Sequence, residues 1–355
     1  MNKWMIRGMA LSLLLTACSK DEDAVPHSNG IIQGNNGGAV VSFSSSISAS
    51  VVVEVSGVGT RAPINSFPSN AQLGIFGIPA VQGSANHDCD LFNKKSEKDF
   101  QQNLFNACYT YVPGYATLQT ENLAMFPNIS NAGLMLYGYY PFADDAEWRE
   151  VKDNRVAEWA IPWKIIPDNM SETTDYLYTG QTSAWYSEVG LTPIMLNFQH
   201  AFGRLDISFY STSKQVCDAG YLIQSVKVDC YTGESGWMSV TDGALSFSPK
   251  DLMCLYPTNN AGIAYNAPGE SVAKFMFVPD QTLIKKITCQ VLDGGSNPRE
   301  YTIYDHRYSG YDIPIKKGKT TVMRINFLPK DASFSGPANV DSWANGNTVD
   351  QNVKL

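Results

Sequence analysis

Between Val41 and Val55 the chain alternates: Val41, Phe43, Ile47, Ala49, Val51, Val53 and Val55 stand at odd positions, and Ser42, Ser44, Ser46, Ser48, Ser50 and Glu54 at most of the even ones. Successive side chains of a β-strand point to opposite faces, so this period of two predicts one long strand with an apolar face and a serine face. Further stretches are also strand-like: "QLGIFGI" (72–78), "LMLYGYYPF" (134–142), "PIMLNFQHAF" (193–202), "GRLDISFY" (203–210) and "IQSVKVDCY" (223–231). So are "AKFMFVP" (273–279), "KITCQVL" (286–292) and "TTVMRINF" (320–327), with Gly, Pro, Asn and Asp clusters between. No segment sustains an apolar period of 3.6 over several turns. The fold expected is all-β, with short helices at most. A chain of 355 residues, 44% of them hydrophobic, has material for two β-sandwiches in tandem. The expected division is 39–188 for the first domain and 189–355 for the second, with the boundary around residues 185–192.

The segment ahead of the first strand has a different character. Lys3 and Arg7 precede a short apolar run, Met9 to Ala17, which ends in Leu15-Thr16-Ala17-Cys18. Residues 1–17 therefore read as a signal peptide, too short for a membrane span. A small residue followed by Cys at the end of such a run resembles the bacterial lipobox, which makes Cys18 the expected lipidated N-terminus of the mature chain. "SKDED" (19–23) resembles the acidic signal that sends lipoproteins to the outer face of the outer membrane, although a solvated tether has the same composition. Residues 18–38, ending in "NGIIQGNNGG", read as a flexible tether.

Arg61 is the only lysine or arginine between Lys20 and Lys94, and it follows the valine run and the adaptable Gly57 and Gly59. The chain as a whole carries 26 basic and 34 acidic residues. That balance, with no basic concentration, argues against a nucleic-acid partner. Setting Cys18 aside leaves Cys89, Cys108, Cys217, Cys230, Cys254 and Cys289. They contain no CxxC, so zinc-site and thioredoxin-like spacings are absent. Disulfides such as Cys89–Cys108, with pairs among the later four, and buried free thiols both suit an exported chain.

Several stretches together resemble the fimbrillin-like proteins of the Mfa-like group. They are "VVSFSSSI" with the later "TRAP", "TDYLYTG" (174–180), "LNFQHAFGRLDISF" (196–209), "FVPDQTL" (277–283), "IKKGKTTVMRINF" (315–327) and "NVDSWANG" (339–346). Thr321 stands where that family's hairpin usually has an aromatic, and residues 81–130 match nothing in its pattern. The resemblance implies two transthyretin-like sandwich domains in a lipoprotein of surface fimbriae. It further implies cleavage after Arg61 by an arginine-specific protease, giving a product that begins at Ala62. The released first strand would leave a groove for a strand of another subunit. Implied partners are thus other fimbrial subunits, the protease and the outer membrane, with a host protein or glycan as adhesive target; no cofactor and no catalysis are implied. The tail offers Val349, Val353 and Leu355 on one face as a donor strand, and stalk, tip and accessory roles stay open.

Other chemistry has weaker support. Only His27, His87, His200 and His306 are available, and neither G-x-S-x-G nor H-E-x-x-H occurs, so the common hydrolase constellations are missing. His200 is expected to be a core histidine bonded to a backbone carbonyl. The acidic neighbours Asp144 and Asp145 read as a solvated loop. Trp148, Trp159 and Trp163, with Trp185 and nearby tyrosines, suit either a core or an aromatic platform for sugar rings. The platform would make the chain a glycan-binding surface lipoprotein of a nutrient-uptake system.

Overall fold

A computed structural model describes residues 40–47, 66–82, 91, 94–127, 131–149, 158–189, 192–292, 298–329, 342–343 and 346–354. The protein is all-β, and its described residues form four sheets. The first holds β1 (Phe43–Ile47), β2 (Ala71–Val81), β3 (Ala107–Tyr111), β4 (Ala132–Tyr140), β7 (Leu177–Tyr178), β8 (Thr182–Trp185) and β9 (Ile194–His200). Its order is β1-β9-β7-β4-β2-β3, with β8 also on β4. The second sheet is β13-β12-β6-β5, from β5 (Glu147–Arg149), β6 (Glu158–Lys164), β12 (Ser235–Ser239) and β13 (Leu245–Phe247).

The third sheet runs β15-β10-β19-β21-β20, with β16 also on β10. Its strands are β10 (Gly203–Ser211), β15 (Ala264–Tyr265), β16 (Ala273–Phe277), β19 (Thr320–Leu328), β20 (Ser342–Trp343) and β21 (Gly346–Lys354). The fourth is β14-β11-β17-β18, from β11 (Leu222–Thr232), β14 (Lys250–Gly262), β17 (Leu283–Leu292) and β18 (Pro298–Asp305). Helices among the described residues are short: α1 (Tyr186–Val189), α2 (Lys214–Asp218), α3 (His306–Ser309) and two 3-10 turns, Glu97–Asp99 and Pro167–Glu172.

Two cores follow from the pleat of β2 and β4, which are buried on both faces. Leu73, Ile75, Leu134 and Leu136 face one core, with Phe43, Tyr109, Leu196 and Phe198. Phe76, Ile78, Met135 and Tyr137 face the other, which continues without a break through Trp163 and Met238 to Phe209, Phe275, Val228 and Phe327. A strand covered on both sides must be apolar at every position, which is why β4 reads "AGLMLYGYY". Its partner carries Gly74 opposite Tyr139, and a Cβ there would lie 2.1 Å from the Tyr139 ring. Glycine leaves the space that the tyrosine fills.

Strand pairing crosses the expected division at residue 188/189. β9 lies within the first sheet, parallel to β1 and antiparallel to β7, and β12 pairs with β6. Alternation identifies a strand but not its neighbour. Ile194, Leu196 and Phe198 fill the core beside Phe43, so β9 belongs with the first half. The chain changes sheets at Ala201–Phe202, and the second sheet takes strands from both halves.

The motifs that carry the family resemblance meet at this crossover. The Gly318 amide donates to the Phe202 carbonyl (2.9 Å), the Arg204 amide to the Lys319 carbonyl (2.9 Å) and the Asp280 amide to the Ile315 carbonyl (2.7 Å). His200 Nδ1 lies 2.8 Å from Asp175 Oδ2, which joins the Asp of "TDYLYTG" to the His of "LNFQHAF". The partner of His200 is thus a buried carboxylate and not a backbone carbonyl. Among the described residues the five cysteines are free thiols, with Cys230, Cys254 and Cys289 buried and Cys108 and Cys217 partly so. Cys89 lies outside the described residues.

Burial of the His200 ring disfavours its charge, yet the charge and hydrogen bond of Asp175 outweigh this and the smaller opposition of Arg204, so its pKa is raised. A raised folded pKa adds stability that is fully present below the unfolded value, ~6.5, and is lost as pH rises through the folded value. His200→Gln should therefore widen the loss of unfolding free energy at about pH 5.5 relative to about pH 8.5. Urea denaturation of both proteins at the two pH values checks this, and an equal loss at both would overturn it.

Candidate functional site

The candidate site is the seat of β1, because this strand joins the rest of the protein by packing and hydrogen bonds along both of its edges. On one edge it runs parallel to β9, with Phe43 opposite Ile194 and Ile47 opposite Phe198; the Ile194 amide donates to the Ser42 carbonyl (2.8 Å). On the other edge residues 118–125 lie against it. The Leu118 amide donates to the Phe43 carbonyl (2.8 Å), the Val41 amide donates to the Ala124 carbonyl (2.9 Å), and Val40 bridges Met125.

The next residue, Gln119, exchanges two 2.8 Å backbone hydrogen bonds with Thr110 of β3. Residues 118 and 119 therefore join the two outermost strands of the first sheet and close it around its core. The local chemistry follows the pleat. Val41 and Phe43 are buried, at 3% and 0% exposure, and Phe43 meets Tyr109 edge-to-face with ring centroids 5.1 Å apart. Ser44 and Ser46 turn outward, and Ser46 Oγ donates to Asn197 Oδ1 (2.7 Å). Burying Val41 and Phe43 contributes roughly 1.5–3 kcal/mol each. Without β1, the Ile194 and Leu118 amides and the Ala124 carbonyl would line an apolar slot with no partners, a template for another strand.

Cys18, Arg61 and Ala62 lie outside the described residues, as do Ala49, Val51, Val53 and Val55; Arg61 stands in the stretch of sequence between Ile47 and Ser66. At the other end of the chain, β21 pairs parallel to β19, with Val349 opposite Met323 and Val353 opposite Phe327. The C-terminal strand is thus seated on its own sheet. Leu355 lies outside the described residues.

Trp148, Trp159 and Trp163 do share a face, since Trp148 pairs with Trp159 across β5 and β6 and Trp163 is four residues on along β6. That face is turned to the core. Trp159 and Trp163 are 7% and 2% exposed, and Trp159 Nε1 donates to the Lys94 carbonyl (2.7 Å). Trp148 is half-buried under the Lys95 ammonium, 3.9 Å from its ring centroid. Of the two arrangements that the residue pattern allows, Trp159 and Trp163 adopt the core one. Sequence reading missed Tyr109, Leu118, Ala124 and Phe126, all buried around β1. Their stretch matched no family pattern, and only its isolated apolar residues between polar ones carried a signal.

No protein-family model matches the chain, and no curated protein matches it. Solved structures do. A "putative cell adhesion protein" from Bacteroides uniformis matches with a TM-score of 0.50 and 12% identity, over 83% of this chain and 94% of that one. A second protein of the same description, from Bacteroides ovatus, gives 0.49 and 15% over 81% and 92%. A "fimbrial protein" from Bacteroides vulgatus gives 0.48 and 12% over 80% and 95%. The first match shows a shared all-β fold.

Phe43→Ala should cost about 3–5 kcal/mol, the range for removing a buried phenyl ring. Ser46→Ala on the outer face should cost under about 1 kcal/mol. Chemical denaturation of both variants checks the contrast; similar losses would mean that the slot does not hold β1 through Phe43.

Proposed function

We propose that the protein is a structural subunit or a tip or accessory adhesin of a surface fimbria, with no enzymatic role of its own. It is exported as a lipoprotein through Cys18, placed at the cell surface, and matured by an arginine-specific protease that cuts between Arg61 and Ala62. The cut separates β1 from the chain that follows it, and a strand of another subunit then takes its seat. One observation carries this reading: β1 is held along both edges in an apolar slot, while Arg61 stands in the sequence that connects it to Ser66 and β2. A strand whose covalent link is cut remains only as long as its packing holds, and an incoming strand with similar alternation satisfies the same amides and carbonyls.

Treating the purified chain with an arginine-specific protease should give a product whose N-terminal sequence starts at Ala62, followed by oligomers on gel filtration. Arg61→Ala should remove both. A product starting elsewhere, or oligomers that form equally from the Arg61→Ala protein, would overturn the proposal.

A further inference from the structure

The segment that closes the first sheet has an outer side, and a groove of about 910 Å³ opens against it. The groove is walled by residues 119–122, by β3 and by the loop that follows the Glu97–Asp99 turn. That volume lies within the range of small-ligand sites, ~300–1,000 Å³. Its lining is unusually rich in amides. Three of them are pinned: Asn103 Nδ2 donates to the Leu123 carbonyl (2.8 Å), Asn106 Nδ2 to the Ala143 carbonyl (3.0 Å) and Gln119 Nε2 to the Thr117 carbonyl (2.7 Å). Four others, Gln72, Gln101, Gln102 and Asn122, line the groove with side chains that make no hydrogen bond among the described residues.

Glu97 and Glu121 add two carboxylates, and among the described residues no Lys, Arg or His lines the groove. Phe105 and Phe142 supply two half-buried phenyl rings. Phe105 is fixed from behind by Trp159 and Phe100, both with ring centroids 5.1 Å away.

Each element of this lining selects by its chemistry. An amide donates and accepts at once, as a sugar hydroxyl does, and a carboxylate accepts from neighbouring hydroxyls. Phenyl rings offer apolar surface to the C–H face of a pyranose. An anionic ligand would meet two carboxylates and no cation. A peptide adding to the edge of β3 would find Thr110 already paired with Gln119 and the Cys108 carbonyl already accepting from Thr120 Oγ1 (3.3 Å). Burial and the Asp144 charge raise the pKa of the Cys108 thiol, which keeps it protonated and a poor nucleophile. The lining suits holding a ligand, not cleaving it.

We propose that this groove binds an uncharged, hydroxyl-rich oligosaccharide through the unpaired amides of Gln72, Gln101, Gln102 and Asn122, the carboxylates of Glu97 and Glu121, and the rings of Phe105 and Phe142. The site goes beyond the fimbrial reading, because it is complete in the uncleaved chain and needs no assembly.

The uncleaved full chain is tested on an array of neutral hexose and N-acetylhexosamine oligosaccharides beside their sialylated and sulfated forms, and the best neutral binder is then titrated calorimetrically. Neutral glycans should bind, and adding an acidic group to the same core should weaken them. Gln102 and Asn122 are exposed, so Gln102→Ala combined with Asn122→Ala should leave the thermal midpoint unchanged while lowering affinity at least about tenfold. Tyr308→Ala, at an exposed ring on α3, should leave affinity unchanged. Four results would overturn the proposal: no neutral glycan bound at millimolar concentration, preference for the acidic forms, binding that survives the double substitution, or an extended peptide bound in place of sugar. None of these outcomes bears on cleavage at Arg61, so the two readings fail separately.

Discussion

Burial of Phe43 ties together stretches of chain that are far apart in sequence. Its ring needs Tyr109 beside it, its backbone needs Leu118 on one edge, and its strand needs Ile194 to Phe198 on the other. Each partner then fixes a larger element. Tyr109 places β3 against β2, residues 118–119 join β3 to β1, and β9 carries the chain to the crossover where His200 meets Asp175. A small number of buried apolar groups on one short strand thus organises a sheet of seven.

The crossover explains how the two halves of this all-β protein share one continuous core across its middle. Gly203 lies so close to the Lys316 backbone and the Ile315 side chain that a Cβ would come within 2.7 Å of the Lys316 carbonyl oxygen, and this contact brings the "GRLDISF" strand under the "IKKGK" turn. β6 is then paired along one edge by β12 from the later half, and Trp163 on its apolar face meets Phe202 edge-to-face. Residues that resemble a family signature in sequence are, in three dimensions, the parts of one joint.

Much of this was legible beforehand, and the exceptions have physical causes. Alternation located strands such as β1, β9, β10 and β11, because pleating writes its period directly into the order of residues, and apolar runs between turn residues located β2 and β4. It could not assign β9 to the first sheet: a parallel neighbour contributed from another part of the chain leaves no local mark. The tryptophans allow two readings for a related reason. A strand with large aromatics on one face reads the same whether that face meets solvent or a second sheet, and burial of Trp159 and Trp163 depends on Phe76, Phe100, Phe105 and Phe202. The groove was invisible because its amides are scattered from Gln72 to Asn122 and meet only where the closing segment passes β3. In sequence, isolated Gln and Asn residues look like ordinary solvated loop.

Residues 118 and 119 have one more effect. By engaging β1 with one amide and β3 with the next, they leave neither outermost strand of the first sheet with a long row of idle peptide groups at the place where they bind. Such rows are what unrelated chains pair with when proteins clump. Here two consecutive peptide groups keep both ends of the sheet occupied by the chain's own residues at once.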